Sequence, residues 1–158
     1  MKICYLADIN SAHTHKWLNY FKSKGYDIHV ISLGNGEYEG VTVHSLDIND
    51  TVMKKSTDKN KLQYFKKIKR VKELVNEIKP DILHAHYATS YGLLGALANY
   101  HPYIISVWGS DVYDFPIKSP IHKMMVKYNL KKADYIYSTS NVMKDETKKY
   151  TDKDIEVT

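Results

Sequence analysis

The sequence is poor in cysteine, with one in 158 residues, and it has only four prolines and seven glycines. The lone thiol, Cys4, makes neither an intrachain disulfide nor a CxxC metal site, which excludes a secreted disulfide scaffold and a structural zinc ribbon and fits the cytosol. Long apolar runs are missing too. The opening Met1-Lys2-Ile3-Cys4-Tyr5-Leu6-Ala7 meets Asp8 too soon to form a signal-peptide core. The most apolar internal stretch, Gly92 to Ala98, falls far short of the roughly 20 residues that cross a bilayer. No Pro-, Ser- or Gln-rich linker and no repeat of solenoid length divides the chain, so one domain is expected over 1–158.

Three phosphate or nucleophile signatures are also absent. Gly34, Gly36 and Gly40 do not form GxGxxG and follow the second predicted strand rather than the first, which excludes a dinucleotide fingerprint. Neither GxxxxGKS/T nor GxSxG occurs, so a P-loop nucleotidase and the nucleophile elbow of an α/β-hydrolase are excluded as well.

What is present is an ordinary globular composition, 43% hydrophobic and 26% charged. A chain of about 150 residues buries roughly 70% of its unfolded surface, enough for a proper core. Apolar and β-branched runs at 2–8, 27–33, 41–46, 81–86, 103–107, 134–138 and 155–158 predict seven strands. Helix-length segments at 11–24, 59–79, 89–100, 119–132 and 141–150 lie between them. Gly25 closes the first helix, Thr89-Ser90 offers a cap for the third, and Ser119-Pro120 sets a cap before a first-turn proline. Strands alternating with helices predict a doubly wound, mainly parallel α/β sheet covered on both faces, in the Rossmann manner.

Ligands in such sheets bind beyond the carboxyl ends of the strands, so those ends carry the functional reading. They are Asp8-Ile9-Asn10-Ser11-Ala12-His13, His84-Ala85-His86-Tyr87, Trp108-Gly109-Ser110-Asp111 and Ser138-Thr139-Ser140-Asn141. Polar residues followed by helix N-termini suit phosphate or a polyhydroxylated sugar.

Several pieces together resemble the N-terminal half of a GT-B glycosyltransferase of the family-4-like branch. They are the first strand running into Ser11-Ala12-His13-Thr14-His15-Lys16-Trp17, the Lys24-Gly25-Tyr26-Asp27-Ile28-His29-Val30 turn and strand, Lys79-Pro80-Asp81-Ile82-Leu83-His84-Ala85-His86, and Val107-Trp108-Gly109-Ser110-Asp111. The resemblance covers essentially the whole chain. It implies an acceptor-side domain, with the nucleotide-sugar donor held mainly by a C-terminal domain. No two glutamates lie eight apart, as the E-x7-E motif of that second domain requires, so the donor half is expected outside this chain, and the fragment alone is expected to be inactive.

The resemblance further implies transfer of a glycosyl group from a nucleoside diphosphate sugar to a glycan or lipid-linked hydroxyl, with retention, in cell-surface polysaccharide or glycolipid assembly. Charge on the departing diphosphate is then stabilised by basic side chains and helix N-termini, with no metal and no cofactor beyond the co-substrate sugar nucleotide. The loop Ile9-Asn10-Ser11-Ala12 lacks the glycines that relatives carry there, and Trp108 stands where relatives often have a histidine.

Residue by residue, the candidate catalytic groups are Asp111, to orient or deprotonate a hydroxyl, and His86. Candidate substrate contacts are Asn10, Ser11, His13, His84, Tyr87, Trp108, Gly109, Ser110 and Ser140. Structural roles compete at most of them. Asp8 and Asp111 equally suit capping of the following turn, Trp108 suits a core lid as well as sugar stacking, and His13 suits either a neutral hydrogen-bonding ring or a solvated side chain. His84 and His86 alternate by two and share a strand face, which suits metal, sugar or simple packing. Two rivals follow: a metal-dependent hydrolase using His84, His86 and an aspartate, and a stand-alone sugar-phosphate-binding module.

The charge of +5 gathers in two segments. The first, 53–79, holds Lys54, Lys55, Lys59, Lys61, Lys66, Lys67, Lys69, Arg70, Lys72 and Lys79, with Leu62, Phe65, Ile68, Val71, Val75 and Ile78 as its inward face. The second runs from Lys118 through His122, Lys123, Met124, Met125, Lys127 and Tyr128 to Lys131 and Lys132. Both suit a solvated surface or an anionic membrane, so the expected location is the cytoplasm, with the inner face of the cell membrane as the alternative that the basic segments open. No RNP string, zinc-finger spacing or recognition helix supports a specific nucleic-acid partner.

Overall fold

Near-continuous apolar strands dictate the architecture, because a strand buried on both faces has no polar alternate positions to spare. The computed structural model describes residues 1–47 and 58–158, with the side chains of 58–65 left aside. Two compact units divide the chain, Met1–Asp81 and Ile82–Thr158.

The first unit holds β1 (Lys2–Leu6), α1 (Ala12–Ser23), β2 (Asp27–Ser32), β3 (Thr42–Ser45) and α2 (Asp58–Ile78). Its strand order is β3-β2-β1, parallel, with Ile3 opposite Ile28 and Val30 opposite Val43. Ile3, Tyr5, Ala7, Ile9, Leu18, Ile28 and Val30 form a buried cluster, against which Trp17 and Phe21 of α1 pack. Leu18 is an inward anchor of α1, and Trp17 and Phe21, four residues apart, flank it on the same side. Cys4 is buried in β1, and burial pushes its thiol up to about 12, so it behaves as a small hydrophobe.

The second unit holds β4 (Ile82–His86), α3 (Ser90–Ala98), β5 (Tyr103–Ser106), α4 (Ser110–Tyr113), α5 (Pro120–Lys132), β6 (Tyr135–Ser138), α6 (Asn141–Thr147) and β7 (Glu156–Val157). Its order is β4-β5-β6-β7, again parallel. The α3 helix, apolar nearly all round, packs on β4, β5 and α5. Among the described residues, the seven expected strands and the Rossmann-like α/β class are therefore present; the ends of the expected elements fall within three residues of expectation, and the short α4 was not expected.

Local signals hold in most places. The N–H of Gly25 donates to the Lys22 carbonyl at 2.9 Å and ends α1. Ser119 caps α5 ahead of Pro120 by accepting from the His122 N–H. Thr89 stands at the N-cap position of α3 but its side chain makes no capping bond, which corrects the role expected of it. In α2, Val71, Val75 and Ile78 are buried as expected, together with Leu74. Lys54 and Lys55 lie outside the described residues, as do the side chains of Lys59, Lys61, Leu62 and Phe65.

Candidate functional site

Each unit builds its own strand-end rim. In the first, the chain leaves β1 through a turn in which Asp8 Oδ1 accepts the Asn10 N–H at 3.0 Å and the Asp8 carbonyl accepts the Ser11 N–H at 3.1 Å. The Ile9 N–H donates to Ser32 Oγ at 3.2 Å, anchoring the turn to the end of β2. Asn10 Nδ2 donates to the Asn35 carbonyl at 3.0 Å. His15 Nε2–H donates to the Ile9 carbonyl at 2.6 Å, and because a carbonyl only accepts, this nitrogen carries the proton. The Asp8 carboxylate thus takes the turn-capping role.

A close approach shapes this rim. A Cβ on Gly36 would sit 2.4 Å from Ile9 Cγ2 and 3.0 Å from Asn10 Oδ1, so only glycine lets the segment after β2 cross the turn. Of the expected contacts, Asn10 and His13 are exposed and Ser11 is half-buried. Ser11 occupies the N-cap position of α1 without a side-chain cap bond. Sequence reasoning missed His15 and Asn35, which hold the turn. His15 is two residues from His13, and helical phase alone turns one inward and the other out.

The second rim is organised around Asp111. Its side chain is 1% exposed, and Oδ2 accepts the Ala88 N–H at 2.7 Å while Oδ1 accepts from Trp108 at 3.1 Å and Gly109 at 2.9 Å. One carboxylate therefore ties the loop after β4 to the loop after β5. Burial raises its pKa, and the backbone donors act in the opposite direction. Asn129 of α5, fully buried, completes the clamp: its Nδ2 donates to the carbonyls of Ala88 at 2.9 Å and Thr89 at 3.2 Å. Asn129 was not among the expected residues, although a polar side chain between Val126 and Leu130 on the inward face of α5 is a legible signal.

Backbone conformation directs the other groups. Tyr87 adopts φ +73°, while its N–H still donates to the Ser106 carbonyl at 2.9 Å, so the chain turns off the sheet immediately after His86. Gly109 has φ +127°, a value side chains rarely tolerate, and it swings Ser110 outward. The rings of His84 and His86 meet edge to face at 5.1 Å, and His86 meets Trp108 at 5.4 Å. His84 Nε2 and Ser106 Oγ are 2.8 Å apart. Burial, with the neighbouring His86, holds the His84 pKa well below its ordinary value, so the ring is neutral.

The expected set thus separates by position. His84, His86 and Asp111 are buried supports, Tyr87, Trp108 and Gly109 are half-exposed, and Ser110 is open to solvent. Ser140 accepts the Met143 N–H at 3.2 Å and caps α6, so its hydroxyl already has a structural task. Among the described residues, no group of three or more His, Cys, Asp or Glu is placed to hold a metal ion, so the hydrolase reading lacks its third ligand.

With this geometry in hand, the profile of the glycosyl transferase 4-like family matches residues 2–140. No curated protein matches the chain in sequence. Among solved structures, the UDP-GlcNAc 2-epimerase of Methanocaldococcus jannaschii shares the fold at a TM-score of 0.67 and 14% identity, over 99% of this chain and 45% of its own. The UDP-N-acetylglucosamine 2-epimerase of Rickettsia bellii matches at 0.62 and 12%, over 99% and 44%. A Glycyrrhiza uralensis UGT complexed with glycyrrhetinic acid 3-O-monoglucuronide matches at 0.62 and 10%, over 99% and 48%. The chain spans less than half the length of these structures.

Proposed function

The chain belongs to the glycosyl transferase 4-like family, and from that premise we propose that it is the N-terminal, acceptor-side domain of a GT-B enzyme that transfers a sugar from a nucleotide-sugar donor to a glycan or lipid-linked hydroxyl. The family match carries this reading. The fold alone does not choose, because it is shared with proteins named as 2-epimerases as well as with a UGT. The donor half lies in a further domain beyond this chain, the reaction retains anomeric configuration, and the product belongs to surface polysaccharide or glycolipid assembly.

The roles proposed here follow exposure and hydrogen bonding. On the second unit Tyr87, Trp108 and Ser110, and separately on the first Asn10, Ser11 and His13, are the residues open to a substrate. The half-exposed indole of Trp108 offers a flat apolar face to a sugar ring. Asp111 is a positioning residue: its oxygens fix the backbone that presents Trp108 and Ser110, and they accept no substrate proton. His84, neutral and bonded to Ser106, supports the His86 ring from behind.

The test compares the 158-residue chain with the complete reading frame. Titration with uridine and guanosine diphosphate sugars is expected to give saturable binding only for the longer product, and radiolabelled transfer into a lipid extract only there. Transfer by the isolated chain overturns the domain assignment. Epimerisation of a sugar nucleotide without any acceptor overturns the transferase reading.

A further inference from the structure

We propose that the outer face of α5 and the loop before it form a docking surface for an anionic lipid bilayer. Ile117 and Ile121 are each 77% exposed, Met124 is 69% exposed and Tyr128 40%. Wound at 100° per residue, Ile121, Met124 and Tyr128 fall within an arc of about 60°. Folding does not need this stripe, because α5 already buries Val126, Asn129 and Leu130 on its other side.

Charge completes the surface. Lys118, Lys123, Lys127, Lys131 and Lys132 accompany the stripe, and the segment from Phe115 to Ala133 contains no aspartate or glutamate. Among the described residues, none of these lysines is in an ion pair; Lys118 and Lys132 lie over the rings of Phe115 and Tyr128 at 5.7 and 5.8 Å. Apolar side chains entering the acyl boundary, with lysine stems reaching back to headgroup phosphates, are what an interfacial helix requires. A protein partner of matching character would need its own acidic rim around an apolar groove, whereas an anionic leaflet supplies both at every point. The 13-residue helix lies on the bilayer, and among the described residues no helix is long and apolar enough to cross it.

The basic helix α2 serves as an internal control. Its described lysines and arginine include pairs with acids, Lys69 with Glu73 at 3.9 Å and Arg70 with Glu73 and Glu77 at 3.5 Å, and its apolar residues Val71, Leu74, Val75 and Ile78 are buried. Its described part offers attraction without a comparable exposed apolar stripe.

Vesicle binding is measured without any sugar substrate, so this surface stands or falls separately from the proposed transfer reaction. The 158-residue chain is sedimented with vesicles of phosphatidylcholine alone and of 7:3 phosphatidylcholine:phosphatidylglycerol. Binding is expected only to the anionic vesicles and to weaken at least tenfold between low and high salt. The variant I121S/M124S, with unchanged circular dichroism and melting temperature, is expected to bind at least tenfold more weakly, and K127E/K131E likewise; K66E/K69E on α2 is expected to lose less than threefold. No sedimentation with anionic vesicles at low salt overturns the proposal, as does equal binding by I121S/M124S. A dimer in solution that becomes monomeric in I121S/M124S also overturns it, by assigning the face to a second copy of the chain.

Discussion

The two strand-end rims are held by opposite means. After β1, the turn is held by short bonds among exposed or half-buried groups, Asp8 to Asn10, Asn10 to Asn35 and His15 to Ile9. After β4 and β5, the loops hang from one buried carboxylate, Asp111, and one buried amide, Asn129. The first rim spreads its constraint over several replaceable contacts. The second concentrates it on two buried side chains, each holding several backbone groups, so its members are far less forgiving. A polar residue at a strand end is therefore not by itself a substrate contact; burial and partner count decide which ones are free to touch a ligand.

The largest effect expected from this contrast is that of Asp111→Ala. Truncation leaves the N–H groups of Ala88, Trp108 and Gly109 without their acceptor. With about 1–3 kcal/mol per abandoned buried donor and partial rescue by water, the loss should be about 3–5 kcal/mol. Urea unfolding followed by circular dichroism measures it. Removing one exposed contact of the first rim, as in Asn10→Ala, should cost under about 1 kcal/mol by the same measurement. Equal losses for the two variants would erase the distinction between the rims.

Gly36→Ala comes next and probes a place where the first rim is unforgiving. The added methyl meets Ile9 Cγ2 at 2.4 Å, inside any permitted contact, and Ile9 is itself buried at 1% exposure. Overpacking of this kind costs about 1–3 kcal/mol. A melting temperature within error of the parent would show that the turn after β1 moves aside freely, which would sharpen the contrast with the rigid second rim.

What the sequence made legible follows the same physics. The run Ile3–Ala7, five consecutive apolar positions, declares a strand buried on both faces, and short apolar runs between turn signals declare the others, so the rims follow from the topology. The short α4 was not legible: four residues carry no period, and the helix starts from a glycine at φ +127° whose conformation only the fold reveals. The task of Asp111 was hidden for a different reason, since its partner Ala88 lies 23 residues away and offers only a backbone N–H, which leaves no trace in residue type. Ser140 looked like a rim contact and is a cap, because Ser-Asn before a helix satisfies both descriptions until the hydroxyl is seen accepting from Met143. On the first rim, sequence pointed to the loop and to the exposed His13, while the turn-holding task of His15, a ring bonded to a backbone carbonyl, leaves no trace in residue type.

A further effect concerns pH and tests whether the second rim is backed by a neutral imidazole. The His84 pKa in the folded chain is held well below the ordinary value by burial and by His86, whereas in the unfolded chain it titrates near about 6.5. The unfolded state therefore takes up the proton first, so the stability from neutral His84 is fully present above about 6.5 and is lost as pH falls toward the folded-state value. Between pH 7 and 5.5 the free energy of unfolding should fall with a slope approaching about 1.4 kcal/mol per pH unit for one such proton. His44 of the first unit is lowered too, mainly by its own burial, and adds a slope of the same sign. The raised pKa of Asp111 acts with the opposite sign, since its folded form takes up a proton before the unfolded one. The difference between parent and His84→Gln isolates the contribution, because glutamine keeps a hydrogen-bonding side chain toward Ser106 without titrating. A parallel pair of pH profiles would mean that the ring behind the second rim takes up a proton as readily folded as unfolded, and that this rim, like the first, is supported by groups that water can reach.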